Sequence, residues 1–68
     1  MTVKVVDKMG KPVGSKKVVV SVSGGGMAQA FTDGNGTAQI ATKGSRGKII
    51  VNGRTVHDGS LSVGRVVV

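Results

Sequence analysis

The sequence predicts an all-β fold, a small antiparallel β-sandwich of about seven short strands with no helix. Three observations lead there. Valine is abundant, β-branched and set in alternating patterns such as Val18, Val20 and Val22. Turn signals recur at near-regular spacing, supplied largely by twelve glycines and one proline. No segment of useful length places apolar residues at i, i+3, i+4 and i+7.

The elements follow in order. Residues 3–7 alternate at their start and form the first strand. Met9-Gly10-Lys11-Pro12 is a turn or short loop, because proline fixes φ and cannot donate to a ladder. Residues 16–23 form the second strand, with Val18, Val20 and Val22 on one face and Lys17, Val19, Ser21 and Ser23 on the other. Gly24-Gly25-Gly26 breaks it as a hairpin or hinge. Residues 27–32 form the third strand, with Phe31 partly buried as the largest apolar group of the chain. Asp33-Gly34-Asn35-Gly36 is the strongest turn signal, since Asp and Asn bond nearby N–H groups and Gly supplies positive φ.

Residues 37–42 form the fourth strand, with Ala38 and Ile40 inward and Gln39 outward. Lys43-Gly44-Ser45-Arg46-Gly47 is a basic loop, and residues 48–51 form the fifth strand. Asn52-Gly53 fits a two-residue type I′ hairpin, which needs positive φ at both positions. Residues 54–57 return as the sixth strand, Asp58-Gly59 is a further turn, and residues 60–68 form the seventh strand, bent at Gly64. The predicted core is Val3, Val5, Val18, Val20, Val22, Phe31, Ala38, Ile40, Ile49, Val51, Val56, Leu61 and Val63.

Composition bounds the rest. Residues 1–68 make one domain, and a chain this short buries roughly 60% of the surface it exposes when unfolded. Such thin cores are often supplemented by disulfides, metals or oligomerisation. There is no Cys, which removes disulfides and thiolate metal sites. No apolar run approaches the roughly 20 residues of a membrane span. Met1-Thr2-Val3-Lys4 leads into an alternating pattern and not an apolar h-region, so no secretory signal is expected. The chain is expected to be either intracellular or a domain excised from a larger, secreted protein.

Ten Lys and Arg against three Asp, with no Glu, give a formal net charge of +7. Such a body attracts polyanions, whether nucleic acid, acidic glycan or anionic membrane. The same lysines also serve solubility and protect strand edges from pairing. The candidate polyanion-binding residues are Lys16, Lys17, Lys43, Arg46 and Lys48, which flank loops. Lys8 and Lys11 bracket another loop. With one aromatic residue, Phe31, and no helix for a major groove, any nucleic-acid contact would be mainly to phosphates and strongly salt-dependent.

Val3-x-Val5-x-Asp7, Gly10-Lys11-Pro12-Val13, Val18-x-Val20 and Thr32-Asp33-Gly34-Asn35-Gly36-Thr37-Ala38-x-Ile40 together resemble the carboxypeptidase-regulatory-like, or prealbumin-like, domains. The immunoglobulin-like repeats of bacterial adhesins look similar. The resemblance runs from Val3 to about Val56 and rests on the order and spacing of turn motifs. The chain is shorter than typical members and carries Ala38 and Ile40 where they usually have an aromatic residue. The resemblance implies a seven-stranded sandwich of transthyretin or immunoglobulin type, used as an accessory, structural or binding module. It transfers no catalytic residues.

No constellation points to catalysis. His57-Asp58 is a lone histidine beside a carboxylate, without a convincing nucleophile; it reads as a strand-end His and a turn Asp. One His and three Asp without thiolates do not make a zinc site. Asp33-Gly34-Asn35-Gly36 lacks the spaced oxygens and bidentate Glu of a calcium loop. The glycine triplet has no Gly-Lys-Ser/Thr and no following helix to cradle phosphate. The expected function is therefore a non-catalytic structural or protein-interaction module that needs no cofactor or metal. It is expected to self-associate through an edge strand, with Val66, Val67 and Val68 as the candidate edge. Polyanion binding is the alternative.

Overall fold

The computed structural model describes residues 1–42, 44–61 and 64–68. It is all-β, with seven strands in two sheets and no helix among the described residues. The strands are β1 (Thr2–Val6), β2 (Lys17–Val22), β3 (Met27–Phe31), β4 (Thr37–Gln39), β5 (Arg46–Val51), β6 (Arg54–Ser60) and β7 (Arg65–Val67). A three-stranded sheet runs β4-β1-β7 and a four-stranded sheet runs β3-β2-β5-β6. The sandwich is antiparallel except at one place: β7 lies parallel to β1, pairing Val5 with Val66. That exception follows from connectivity, because the chain crosses the other sheet between these two strands. The strand order also differs from the constant immunoglobulin arrangement, in which the first, second, fourth and fifth strands share a sheet.

Alternation builds the core. Val3 and Val5 point from β1 toward Val18 and Val20 of β2 and Ile49 and Val51 of β5, and all six are buried. Ala38, Ile40, Leu61 and Val66 complete the cluster, with Met1, Val13, Val22, Ala28, Ala30 and Val56 half-buried against it. Val6 is buried although alternation aims it away from that core. The following loop folds back over it, making a bridge from Val6 to Pro12 while the Val13 N–H donates to the Val5 carbonyl at 2.9 Å.

Two turns of one design hold β1 and β4 in place. In Asp7-Lys8-Met9-Gly10-Lys11, the Asp7 Oδ1 accepts from the N–H groups of Met9 and Lys11, both at 2.9 Å. In Asp33-Gly34-Asn35-Gly36-Thr37, the Asp33 Oδ1 accepts from Asn35 at 2.8 Å and Thr37 at 3.0 Å. In each, the glycine N–H donates to the aspartate carbonyl and the glycine has positive φ, 82° at Gly10 and 74° at Gly36. Their surroundings differ. A Cβ on Gly10 meets nothing within 4 Å, whereas one on Gly36 would lie 2.6 Å from the Val5 carbonyl oxygen and 2.9 Å from the Val13 nitrogen. The type I′ hairpin is present, with Asn52 at φ 54° and Gly53 at φ 83°.

Several sequence expectations are corrected. Phe31 is not in the core; it is 65% exposed. The registers Val18 to Ala30 and Val20 to Ala28 turn the two alanines inward, so Met27, Gln29 and Phe31 face out. Asp58-Gly59 is not a turn but part of β6, which continues to Ser60 opposite Arg46. Arg46 and Gly47 correspondingly belong to β5 and not to a loop. The fourth strand ends at Gln39, and the seventh spans only Arg65–Val67. Val63 lies outside the described residues.

Candidate functional site

The outer face of the four-stranded sheet brings exposed apolar and basic side chains together. Antiparallel register puts directly opposed side chains on the same face. One row is therefore Phe31 beside Lys17, and the next is Gln29, Val19, Ile50 and Thr55. A third row is Met27, Ser21, Lys48 and Asp58, and Arg46 with Ser60 closes the sheet. Met27 is 69% exposed, and Val19 and Ile50 are half-buried. The face thus combines apolar side chains at the β3 side with basic side chains on β2 and β5.

The proposed polyanion residues do not form one cluster. Lys16 and Lys17 stand at one end of the sheet. Lys48 pairs with Ser21, four positions along β2, or about 14 Å away at strand rise. Arg46 lies beyond it, in an open groove with Ser21, Ser23 and Asp58. Lys17, Arg46 and Lys48 do share the outer face. Lys43 lies outside the described residues.

The four sheet edges are protected unequally. β4 and β7 are each three residues long. β6 carries Arg54 and Asp58 and is distorted where its register slips between Ile49 and Ile50 of β5. Short edges, edge charges and bulges all discourage pairing with another chain. β3 has none of these devices: five residues, Met-Ala-Gln-Ala-Phe, without charge, proline or register shift. The candidate edge at the chain's end is different. Val66 is buried at 4% exposure, and only Val67 and Val68 reach water, at 53% and 38%.

The backbone of β3 shows what its edge offers. The Val22 N–H donates to the Gly26 carbonyl and the Thr32 N–H to the Lys16 carbonyl, each at 2.9 Å. Antiparallel bonding alternates, so between these two bonds Ala28 and Ala30 aim their N–H and C=O groups at β2. The groups of Met27, Gln29 and Phe31 point the other way, where no strand pairs with them among the described residues. Thr32 anchors this end. It is buried at 4% exposure, and its Oγ1 accepts from the Lys16 N–H at 2.8 Å. Sequence reasoning missed β3 as a site, yet the signal is present: residues 18–32 carry no charge in a chain of net charge +7.

Of the residues weighed for catalysis, Asp7, Asp33 and His57 make hydrogen bonds to nearby backbone. Asp7 and Asp33 spend a carboxylate oxygen on their turns. Asp58 faces Lys48 across β5 and β6. The His57 Nε2–H donates to the Ser60 carbonyl at 2.6 Å, which fixes the ring within its own strand. Among the described residues no group of three His, Cys, Asp or Glu stands close enough to hold a metal ion, and no helix is long and apolar enough to cross a membrane. No family model, curated protein or solved structure matches this chain.

Proposed function

We propose that this chain is a non-catalytic interaction module of the prealbumin-like kind, which docks and self-associates by adding a strand at the β3 edge. The observation that carries the reading is the unprotected β3 edge, with Met27 and Phe31 in water and three backbone positions unpaired, in a sandwich whose other edges are short, charged or bulged. Strand addition derives affinity from main-chain hydrogen bonds and specificity from alternate side chains. Sedimentation over a concentration series in high salt tests it. The native chain is expected to move above its monomer mass of 6.8 kDa, and Phe31→Lys to remain monomeric. A native chain that stays monomeric throughout would remove the self-associating reading.

A second reading has its own observation. Lys17, Arg46 and Lys48 share one face with the exposed ring of Phe31, a layout suited to an extended polyanion with one stacked group. It calls for binding to single-stranded oligonucleotide or heparin that falls steeply as salt rises. Absence of binding at low salt would exclude it.

A further inference from the structure

We infer that the occupant of the β3 edge is a second copy of this chain, paired antiparallel about Gln29, so that two sandwiches share one continuous eight-stranded sheet. The inference rests on the edge reading above and adds the partner and its register.

The symmetry of β3 supplies the argument. Its outward residues are Met27, Gln29 and Phe31, placed evenly about Gln29. Their N–H and C=O groups are the ones directed away from β2. A two-fold axis through Gln29 brings Gln29 opposite the partner's Gln29, and Met27 opposite the partner's Phe31. Residues opposed in this way exchange both of their backbone bonds, so three opposed pairs satisfy the whole unpaired edge. Each Met27 meets an aromatic ring, a favourable sulfur contact. The two Gln29 amides meet each other and can hydrogen-bond. The inward neighbours opposed across the junction are Ala28 and Ala30, small enough to leave the packing undisturbed.

Such an interface is isologous and closes on itself, so it stops at two copies. Charge permits it. β3 carries none, and the nearest outer-face cation is Lys17 on the adjacent strand. Across the junction the two Lys17 residues stand roughly 20 Å apart, by strand spacing and rise. That exceeds the Debye length of about 8 Å at physiological salt. Two bodies of net charge +7 nevertheless repel at low salt, so this association strengthens with added salt, opposite in sign to polyanion binding.

Charge swaps at Gln29 test the register. Its side chain is exposed, so the fold tolerates them. Gln29→Lys and Gln29→Glu each oppose like charges on the axis, and each is expected to weaken association roughly fivefold or more. An equimolar mixture of the two is expected to restore it. Gln29→Glu lowers the net charge, so a purely global charge effect would make that variant associate more tightly. Tighter association of Gln29→Glu, or a mixture no better than either variant alone, overturns the register while native association stands. A native chain monomeric in the same runs overturns the edge reading itself.

Discussion

The two sheets of this sandwich treat their edges differently. In the three-stranded sheet both edge strands are three residues long, and the middle residue of β7, Val66, is buried. In the four-stranded sheet β3 runs for five residues and leaves Met27 and Phe31 exposed. As residue strings β7 and β3 both carry apolar side chains, Arg65-Val66-Val67 with one charge and Met-Ala-Gln-Ala-Phe with none. They differ in where the side chains go. β7 turns Val66 into the core, whereas β3 leaves its two largest apolar side chains in water.

Substitutions sharpen that contrast, beginning with the largest effect on stability. Gly36→Ala forces a side chain into the Val5 and Val13 backbone at positive φ. It is expected to cost about 3 kcal/mol, combining left-handed strain with overpacking. For a chain of this length that is a large share of a total on the order of 3–10 kcal/mol. Urea unfolding of dilute protein measures it. Val66→Ala is expected to cost about 2 kcal/mol, because it removes two buried carbons and leaves a gap beside Val5. The folded fraction of that variant should still associate.

Smaller effects belong to the other sheet and to the open twin turn. Gly10→Ala carries the backbone strain of Gly36→Ala without the collision, so about 1 kcal/mol is expected. Equal losses at the two glycines would break the distinction between the turns. Thr32→Val removes the acceptor for the Lys16 N–H and is expected to cost about 1 kcal/mol. Phe31→Ala should change the stability of dilute monomer by less than about 0.5 kcal/mol, since the ring is mostly in water. Its expected effect is on mass in solution, where association is lost. A large fall in monomer stability in Phe31→Ala would mean that the ring packs inward after all.

Much of the fold was legible from local chemistry. Alternating valines gave β1 and β2 and most of the core, and Asp-x-x-Gly and Asn-Gly gave the turns, because those residues act within a few positions of themselves. What failed needed register. In Met-Ala-Gln-Ala-Phe either parity is chemically reasonable, and only the alignment of Ala30 with Val18 decides it. Size alone favoured burying Phe31, and the pairing with β2 overrode it. Asp58-Gly59 carries turn chemistry but lies in an edge strand, paired with Lys48 and Gly47, where Gly59 takes a φ of 135°. The basic residues were identified by charge, but their division between two ends of one sheet is a property of strand order. The β3 edge was readable as a charge-free segment only once the neighbouring strands were known.

The most direct measurement is amide hydrogen exchange, residue by residue, on dilute and concentrated protein in high salt. Met27, Gln29 and Phe31 have outward, unpaired N–H groups in the monomer and are expected to exchange quickly when dilute. On concentration their exchange should slow together, in step with the rise in mass, while β7 remains unchanged. Fast exchange at these three positions in a sample that has gained mass, or new protection appearing on β7 instead, would contradict the claim that β3 is the edge this molecule uses.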